Sequence, residues 1–516
     1  MEKVTKVNIR MYRVGTGDFF LFRFYKGDNP TPSFKMMIDC GCIQGSEIKF
    51  LPKVKNLQEE TGNEIDLLIV THEHADHING FNLCREELSK ITFKNVWFAW
   101  TESKTDAFAN DLRKNHSKLK LGLKMATEKL NGLKDSQYYE SYFGVEHNKE
   151  EAINNQHFFI DSINQLSDLN TLGLNGEIPT MEDILRDFKI IKDTTNVEFL
   201  SPGVNHDFLS KIVGLEGLRF FVLGPPRDFG LLSKEESKID GYEKRESKST
   251  LDLSFINALD DKLMGKDILP FDDEYEMSPL STSMKTNFEK GGNFDALKSA
   301  NASLDDMEQI RFNYLSDNHK WRSIDNDWLM GAGSLGLRLQ TSINNTSLAL
   351  ALQFEESERV LLLPGDAEYG NWISWHNKDL SWEIKKDGKM EKVNAEYFLN
   401  KTVFYKVGHH LSQNGTAKEK GLEMMKSQDL TAMITLDLET ILSGWKSTMP
   451  NDIIGEILFK QTKGKLYFVG KRDLILKNLK THRVSFSQTH LDEFERLNSA
   501  FDDNENLFVE CEIMGN

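Results

Sequence analysis

Hydrophobic positions along the chain fall in short runs that stop abruptly at polar or ligand-type residues, and the period within each run names its element. Residues 7–24 alternate apolar and polar side chains around Gly15-Thr16-Gly17-Asp18, the pattern of two strands joined through a turn that glycine permits. Residues 48–62 place Phe50, Leu51, Val54 and Leu57 at helical spacing and end at Thr61-Gly62. The aliphatic run that closes with Leu67-Leu68-Ile69-Val70 reads as a buried strand, and it stops where Thr71-His72 begins. Val96-Trp97-Phe98-Ala99-Trp100 is a further buried strand. Residues 1–100 therefore form half of an α/β sandwich.

The period then changes. Residues 101–195 are polar and rich in Lys, Asn and Glu, with Leu119, Leu121, Leu123, Met125 and Leu130 recurring at helical intervals, which predicts a helical insertion packed on the sheet. Sheet-like sequence returns over 196–230. Residues 231–335 mix charges with Ser, Gly and Asp and read as a variable insertion or lid. From 336 to 516 apolar runs resume at 348–352, 360–363, 403–407, 430–436 and 465–469, giving the second half of the sandwich and a C-terminal tail of alternating strand and helix.

The chemistry sits where these strands end. His72-x-His74-x-Asp76-His77 puts four metal-competent side chains within six residues. Two imidazoles at i, i+2 can grip one cation, and the adjacent Asp-His pair can hold a second. Any two of these residues alone would read as an exposed histidine turn; four behind a buried strand, followed by Asn79-Gly80, point to a dinuclear site. A second strand ends in Gly365-Asp366, where a carboxylate released by glycine can give one oxygen to each of two cations. A third ends in Gly408-His409-His410. His116, His147 and His157 lack ligand spacing and read as surface histidines, whereas His206 is a loose candidate ligand. Asp18 and Asp39 read first as turn and loop residues, with Asp39 also placed to support a metal ligand.

The HxHxDH string after an apolar strand resembles the signature of the metallo-β-lactamase-fold hydrolases. Within them, the Gly-x-Gly-Asp turn, the strand Met36-Met37-Ile38 ending in Asp39-Cys40-Gly41, Leu223-Gly224-Pro225-Pro226-Arg227-Asp228, the Trp321–Trp328 string and the Asn344-Asn345-Thr346-Ser347 loop are similar to the ComEC-type hydrolase domain and its stand-alone long-insert relatives. The resemblance implies a four-layer αββα sandwich with a large, mainly helical insertion. It implies two divalent cations, zinc first and manganese as the alternative, held by His72, His74, Asp76, His77, Asp366 and His409. Asp76 and His410 would then be the catalytic side chains, Asp76 holding or shuttling a proton, though the order of His409 and His410 can be reversed. Two departures stand out: Leu411 where the family has glycine, and the Asn344–Ser347 loop where many members carry a further histidine. The second leaves one metal position with Asn345 or water as its last ligand, and therefore weaker.

Composition narrows the partners. Eighty acidic against 63 basic residues give a net charge of −17, which opposes avid non-specific nucleic-acid binding. Hydrophobic residues make up 39% of the chain and the mean hydropathy is −0.47, with no apolar run of membrane-spanning length and no signal-peptide core at the N-terminus. A cytoplasmic protein is expected. Four cysteines make no disulfide framework, and Cys40-x-Cys42 reads as a pair of small buried side chains. The expected function is metal-dependent hydrolysis through a metal-bridging hydroxide, on phosphodiesters first (a nuclease or phosphodiesterase). The alternatives are a lactone, thioester or other small carboxylic derivative, or a non-catalytic metal-binding protein that docks a protein partner through the insertion. A phosphoester substrate predicts basic residues such as Lys406 or Arg227 near the metals.

Overall fold

The computed structural model describes residues 2–132, 149–170, 179–203, 209, 212–234, 331–386, 389–441, 449–471, 474, 477, 487–498 and 506–516. His147, His206, the Trp321–Trp328 string and most of 231–335 lie outside them.

Strands Val4–Tyr12 (β1), Phe20–Lys26 (β2), Phe34–Ile38 (β3), Glu64–Ile69 (β4), Thr92–Ala99 (β5) and Asn196–Leu200 (β6) build one sheet. A second sheet contains Leu218–Gly224 (β7), Ala349–Phe354 (β8), Val360–Leu363 (β9), Thr402–Lys406 (β12), Thr431–Ile434 (β13) and Leu466–Phe468 (β14); a hairpin of Trp382–Lys386 (β10) and Lys389–Val393 (β11) stands apart from both. The C-terminal strand Phe508–Met514 (β15) closes the first sheet against β1, with Lys6 opposite Met514 and Tyr12 opposite Phe508. The orders are β15-β1-β2-β3-β4-β5-β6 and β14-β13-β12-β9-β8-β7.

In each sheet the pairs from β3 through β6, and from β9 through β12 to β14, are parallel, so these strands release their C-terminal ends together. β2 is buried along nearly its whole length, because Phe20, Phe22 and Phe24 face the second sheet while Leu21 packs under helix Glu47–Thr61 (α1). Phe22 meets Phe404 edge-on at 6.1 Å across the sandwich. The outer face of the first sheet is covered by α1, helix Ala75–Leu83 (α2) and Met181–Asp187; that of the second by Tyr369–Ser374, Ala395–Asn400 and Asp452–Gln461. Burying apolar surface on both faces of both sheets yields four layers. The fold is the αββα metallo-β-lactamase sandwich.

The chain divides into two compact units. One, Met1–Ser117 with Gln165–Glu246 and Leu337–Asn516, holds both sheets. The other is Lys118–Asn164 with Ser247–Gly336. In its described part, segments of helices Ala107–Gly132 and Lys149–Asn170 bury Leu123, Ala126, Leu130, Ile160 and Ile163, and Asn131 and Asn164 exchange amide hydrogen bonds at 2.8 and 3.0 Å.

Candidate metal centre

β4 runs out at Ile69, and the next residues carry His72 and His74 into the start of α2, whose first turn presents Asp76 and His77. β9 ends in Pro364-Gly365-Asp366. Gly365 has φ +60, and a Cβ there would lie 3.0 Å from Thr71 Cβ and 3.1 Å from Ser347 Cβ, so only glycine lets this strand end close against the histidine loop. β12 ends in Lys406, followed by a turn, Gly408–Leu411, in which His409, His410 and Leu411 all have positive φ (44, 50 and 67°). The Gly-Thr-Gly-Asp turn reaches in from the β1–β2 connection. A Cβ on Gly17 (φ +145) would fall 2.7 Å from Asp76 O, and Asp18 N–H donates to that same carbonyl at 3.0 Å.

These strand ends bring together Asp76, His77, Asp366 and His410. His77 Nε2 is 3.0 Å from Asp366 Oδ2, and His410 Nε2 is 3.0 Å from Asp76 Oδ2 and 3.1 Å from Asp366 Oδ2. His72 Nε2 and His74 Nδ1 face each other at 3.0 Å, and the His72 and His77 rings are 4.1 Å apart. All six side chains are buried.

Each imidazole is oriented by its far nitrogen. Asp39 Oδ2 accepts from His77 Nδ1 (2.7 Å) and from Thr71 Oγ1 (2.6 Å), while its Oδ1 accepts from Thr71 N–H (2.8 Å). Because the Thr71 hydroxyl donates to Asp39, its oxygen is left to accept from His72 Nδ1 at 3.1 Å. Thr435 Oγ1 donates to Asp18 Oδ1 (2.7 Å) and so accepts from His410 Nδ1 (2.8 Å). The Asn170 amide donates to Leu166 O, which turns its Oδ1 towards His74 Nε2 at 3.1 Å. The inner nitrogens of His72 and His74 thereby face each other, and those of His77 and His410 face carboxylate oxygens.

Such a gathering of carboxylates and imidazoles calls for compensating positive charge, from a cation within it or from protons on His77 and His410. His77 Nε2, Asp76 Oδ1 and Asp366 Oδ2 are buried and make no hydrogen bond, which is what side chains aimed at a common ion look like. Protonation responds to the same field. Burial alone would lower the His77 and His410 pKa values, but Asp366 and the neighbouring carboxylates outweigh it, raising His77 well above its ordinary value and His410 to about 9. His72 and His74 go the other way, His74 to about 4, because burial and adjacent imidazoles disfavour their charged forms. The donor set, imidazole nitrogens with carboxylate oxygens, fits divalent zinc or manganese.

His410, rather than His409, is the residue that the turn brings to Asp76 and Asp366. The left-handed backbone swings His409 aside: its Nδ1 lies 3.2 Å from Glu368 Oε1 and its Nε2 lies 3.3 Å from Asn344 Nδ2 and 3.4 Å from Gln340 Nε2. Asn345 does not face the cluster. Its amide donates to Leu232 O and Lys234 O, and its Oδ1 accepts from Asn371 N–H. Ser347 of the same loop supports the centre instead, accepting from Asp366 N–H at 3.1 Å beside His72 Nδ1 at 3.3 Å.

Asp18, first read as a turn residue, joins His77, Asp366 and His410 in a group whose ligand atoms all lie within 4.8 Å of one another; its Gly-x-Gly-Asp string was the available signal. Lys406 Nζ is 2.8 Å from Asp366 Oδ1 and 2.5 Å from Asp18 Oδ2. Arg227 is engaged elsewhere, paired with Asp106 at 2.6 Å and lying over the Trp100 ring. His116 is not a surface residue: it is buried, with Nε2 2.8 Å from Ser342 Oγ.

Residues 29–95 match the family model of the metallo-beta-lactamase superfamily. The matched stretch contains β3, α1, β4 and the whole His72–His77 string, and it supports the superfamily on the elements that deliver the first candidate ligands. No curated protein and no solved structure matches the chain. Among the described residues no helix is long and apolar enough to cross a membrane.

Proposed function

We propose that the protein is a metal-dependent hydrolase of the ComEC-type branch, with two unequal cation positions. Asp76, His77, Asp366 and His410 would hold one ion, and His72 and His74, with Asp366 between the two positions, the other. The observation that carries this reading is a convergence of buried groups: His77 Nε2, Asp76 Oδ1 and Asp366 Oδ2 make no hydrogen bond, while the far nitrogens of the four imidazoles are engaged by Asp39, Thr71, Thr435 and Asn170. Bound divalent cations, zinc first and manganese second, supply Lewis acidity and activate water. The chain's own residues orient that chemistry: Asp76 and His410 border the place where an attacking water would sit, with Asp76 placed to hold its proton.

A phosphodiester is the preferred substrate, because a pair of cations clamps both the attacking and leaving oxygens of an in-line displacement. A lactone, thioester or similar carboxylic derivative is the second reading. It is favoured by one observation, that Lys406 and Arg227 are both engaged by carboxylates and offer no spare positive charge to a phosphate. A protein partner at the insertion, and a cytoplasmic setting, complete the proposal. The test is hydrolysis of bis-p-nitrophenyl phosphate, with a thioester and a lactone in parallel, in added Zn²⁺ or Mn²⁺. Turnover of the phosphodiester that disappears in Asp366→Ala supports the first reading; turnover of the carboxylic substrates alone supports the second; turnover equal in Asp366→Ala refutes both.

A further inference from the structure

Lys406 is an unusual neighbour for a cation site. It ends β12 with its ammonium buried, donating to Gly365 O at 2.9 Å and to Asp366 Oδ1 at 2.8 Å, and paired with Asp18 Oδ2 at 2.5 Å. An ammonium this deep is retained only where carboxylates compensate its desolvation.

Its placement makes the two oxygens of Asp366 different. Oδ1 receives the ammonium and also His409 N–H at 3.2 Å. Oδ2 receives no hydrogen bond and is the oxygen 3.0 Å from His77 Nε2 and 3.1 Å from His410 Nε2. Asp18 is divided as well, Oδ1 accepting from Thr435 and Oδ2 facing the ammonium. Of the carboxylates gathered here, one oxygen each of Asp18 and Asp366 is thus turned towards Lys406, and Asp76 and the other oxygen of Asp366 towards the histidines.

We infer that Lys406 is a positioning residue that chooses the oxygens open to metal: it holds Asp366 Oδ1 and Asp18 back, so that Asp366 serves through Oδ2 alone and Asp18 remains a counter-ion. This rests on the proposed metal-dependent function. It would leave Asp366 one oxygen, Oδ2, rather than two to offer to metal. A lysine serving only to neutralise charge would not discriminate between the two oxygens.

Co²⁺ binding reads the difference, because the intensity and position of its visible bands report coordination number and geometry. The protein, Asp18→Asn, Lys406→Met and the double variant Asp18→Asn/Lys406→Met are titrated with Co²⁺, with bound metal quantified in each. The protein and Asp18→Asn are expected to give the same bands, since Lys406 holds Asp366 Oδ1 in both. Both variants lacking the ammonium are expected to show weaker bands at higher energy, as the released Oδ1 raises the coordination number. The double variant loses one charge of each sign, so it supplies the same comparison where Lys406→Met alone does not fold. Unchanged bands in both methionine variants overturn the inference, as does an Asp18→Asn spectrum altered as much as that of Lys406→Met. No Co²⁺ taken up by the unaltered protein would overturn the metal-centre reading itself, and this inference with it.

Discussion

Asp39→Asn isolates how the centre is oriented. Asp39 is buried and accepts three hydrogen bonds, two from Thr71 and one from His77 Nδ1. Its φ of 52° is left-handed, a conformation that asparagine tolerates as well as aspartate, so the substitution is neutral for the backbone. Asn Oδ1 can still accept from Thr71 N–H. The amide nitrogen then takes the place of Oδ2 and presents a donor to Thr71 Oγ1 and to His77 Nδ1. His77 must give up its Nδ1 proton to accept, which moves the proton to Nε2 and removes the lone pair that faces Asp366. The exchange forfeits a charge-assisted hydrogen bond of about 1.5–3 kcal/mol. Loss of such an outer partner typically weakens a metal site about 10–100-fold, or ~1.4–2.7 kcal/mol in binding free energy. Competition for Zn²⁺ against a chromophoric chelator measures it directly, and thermal unfolding of the metal-free proteins separates it from a folding defect. Equal Zn²⁺ affinity in the two proteins would mean that Asp39 only closes the β3 turn, and the account of imidazole orientation would be wrong.

The neighbouring histidines give a simpler contrast: His410→Ala should lose bound metal, counted by elemental analysis, whereas His409→Ala should retain it, and the opposite pattern would reverse the assignment. Zinc titration of the metal-free protein should show two steps, since two carboxylates face one position while His72 and His74 gain nothing from Asn345; a single step of two ions contradicts unequal positions. Chelation should lower the melting temperature, with a stabilisation of about 2.7 kcal/mol recovered when free metal reaches a hundred times its dissociation constant. Leu411→Gly should relieve a left-handed residue worth about 1–2 kcal/mol but delete a buried leucine worth about 2–5 kcal/mol. A net loss of about 2 kcal/mol by denaturant unfolding is expected from that difference, and a gain in stability would show that the turn, not the packing, dominates.

Those candidate ligands that follow directly on an apolar run were legible in the sequence. His72, His74, Asp76 and His77 lie at the end of β4, and Gly365-Asp366 at the end of β9, so strand and chemistry announce each other. Which of His409 and His410 faces Asp76 and Asp366 was not legible, because it depends on three successive left-handed residues and none of them is glycine. Asp18 carried a signal in its Gly-x-Gly-Asp turn, but a turn aspartate has a local explanation; that it meets Lys406 is a property of two strands in different sheets. Likewise residues 196–230 read as sheet without revealing that β6 joins one sheet and β7 the other. β1 pairs locally with β2, but its other partner, β15, lies some five hundred residues along the chain, beyond any local pattern. His116 has the spacing of a surface helix residue, and the groups that meet its ring, Ser342 and Glu73, come from distant segments.

The outer partners of the four imidazoles come from places that no single segment contains. Asp39 follows β3, Thr71 follows β4, Thr435 follows β13 of the second sheet, and Asn170 ends a long helix. The His72–His77 string by itself fixes none of the four tautomers. In an unfolded or half-formed chain each imidazole presents either nitrogen and keeps its rotational freedom, so a cation must order it as well as bind it. Once both sheets are assembled, Asp39, Thr71, Thr435 and Asn170 already engage the far nitrogens, so the nitrogen that faces inwards is set before any ion arrives. The free energy released by a cation is then greatest in the completed sandwich. The proposed metal affinity should therefore depend on the two sheets together, and a fragment carrying the motif with only the first sheet should lack most of it.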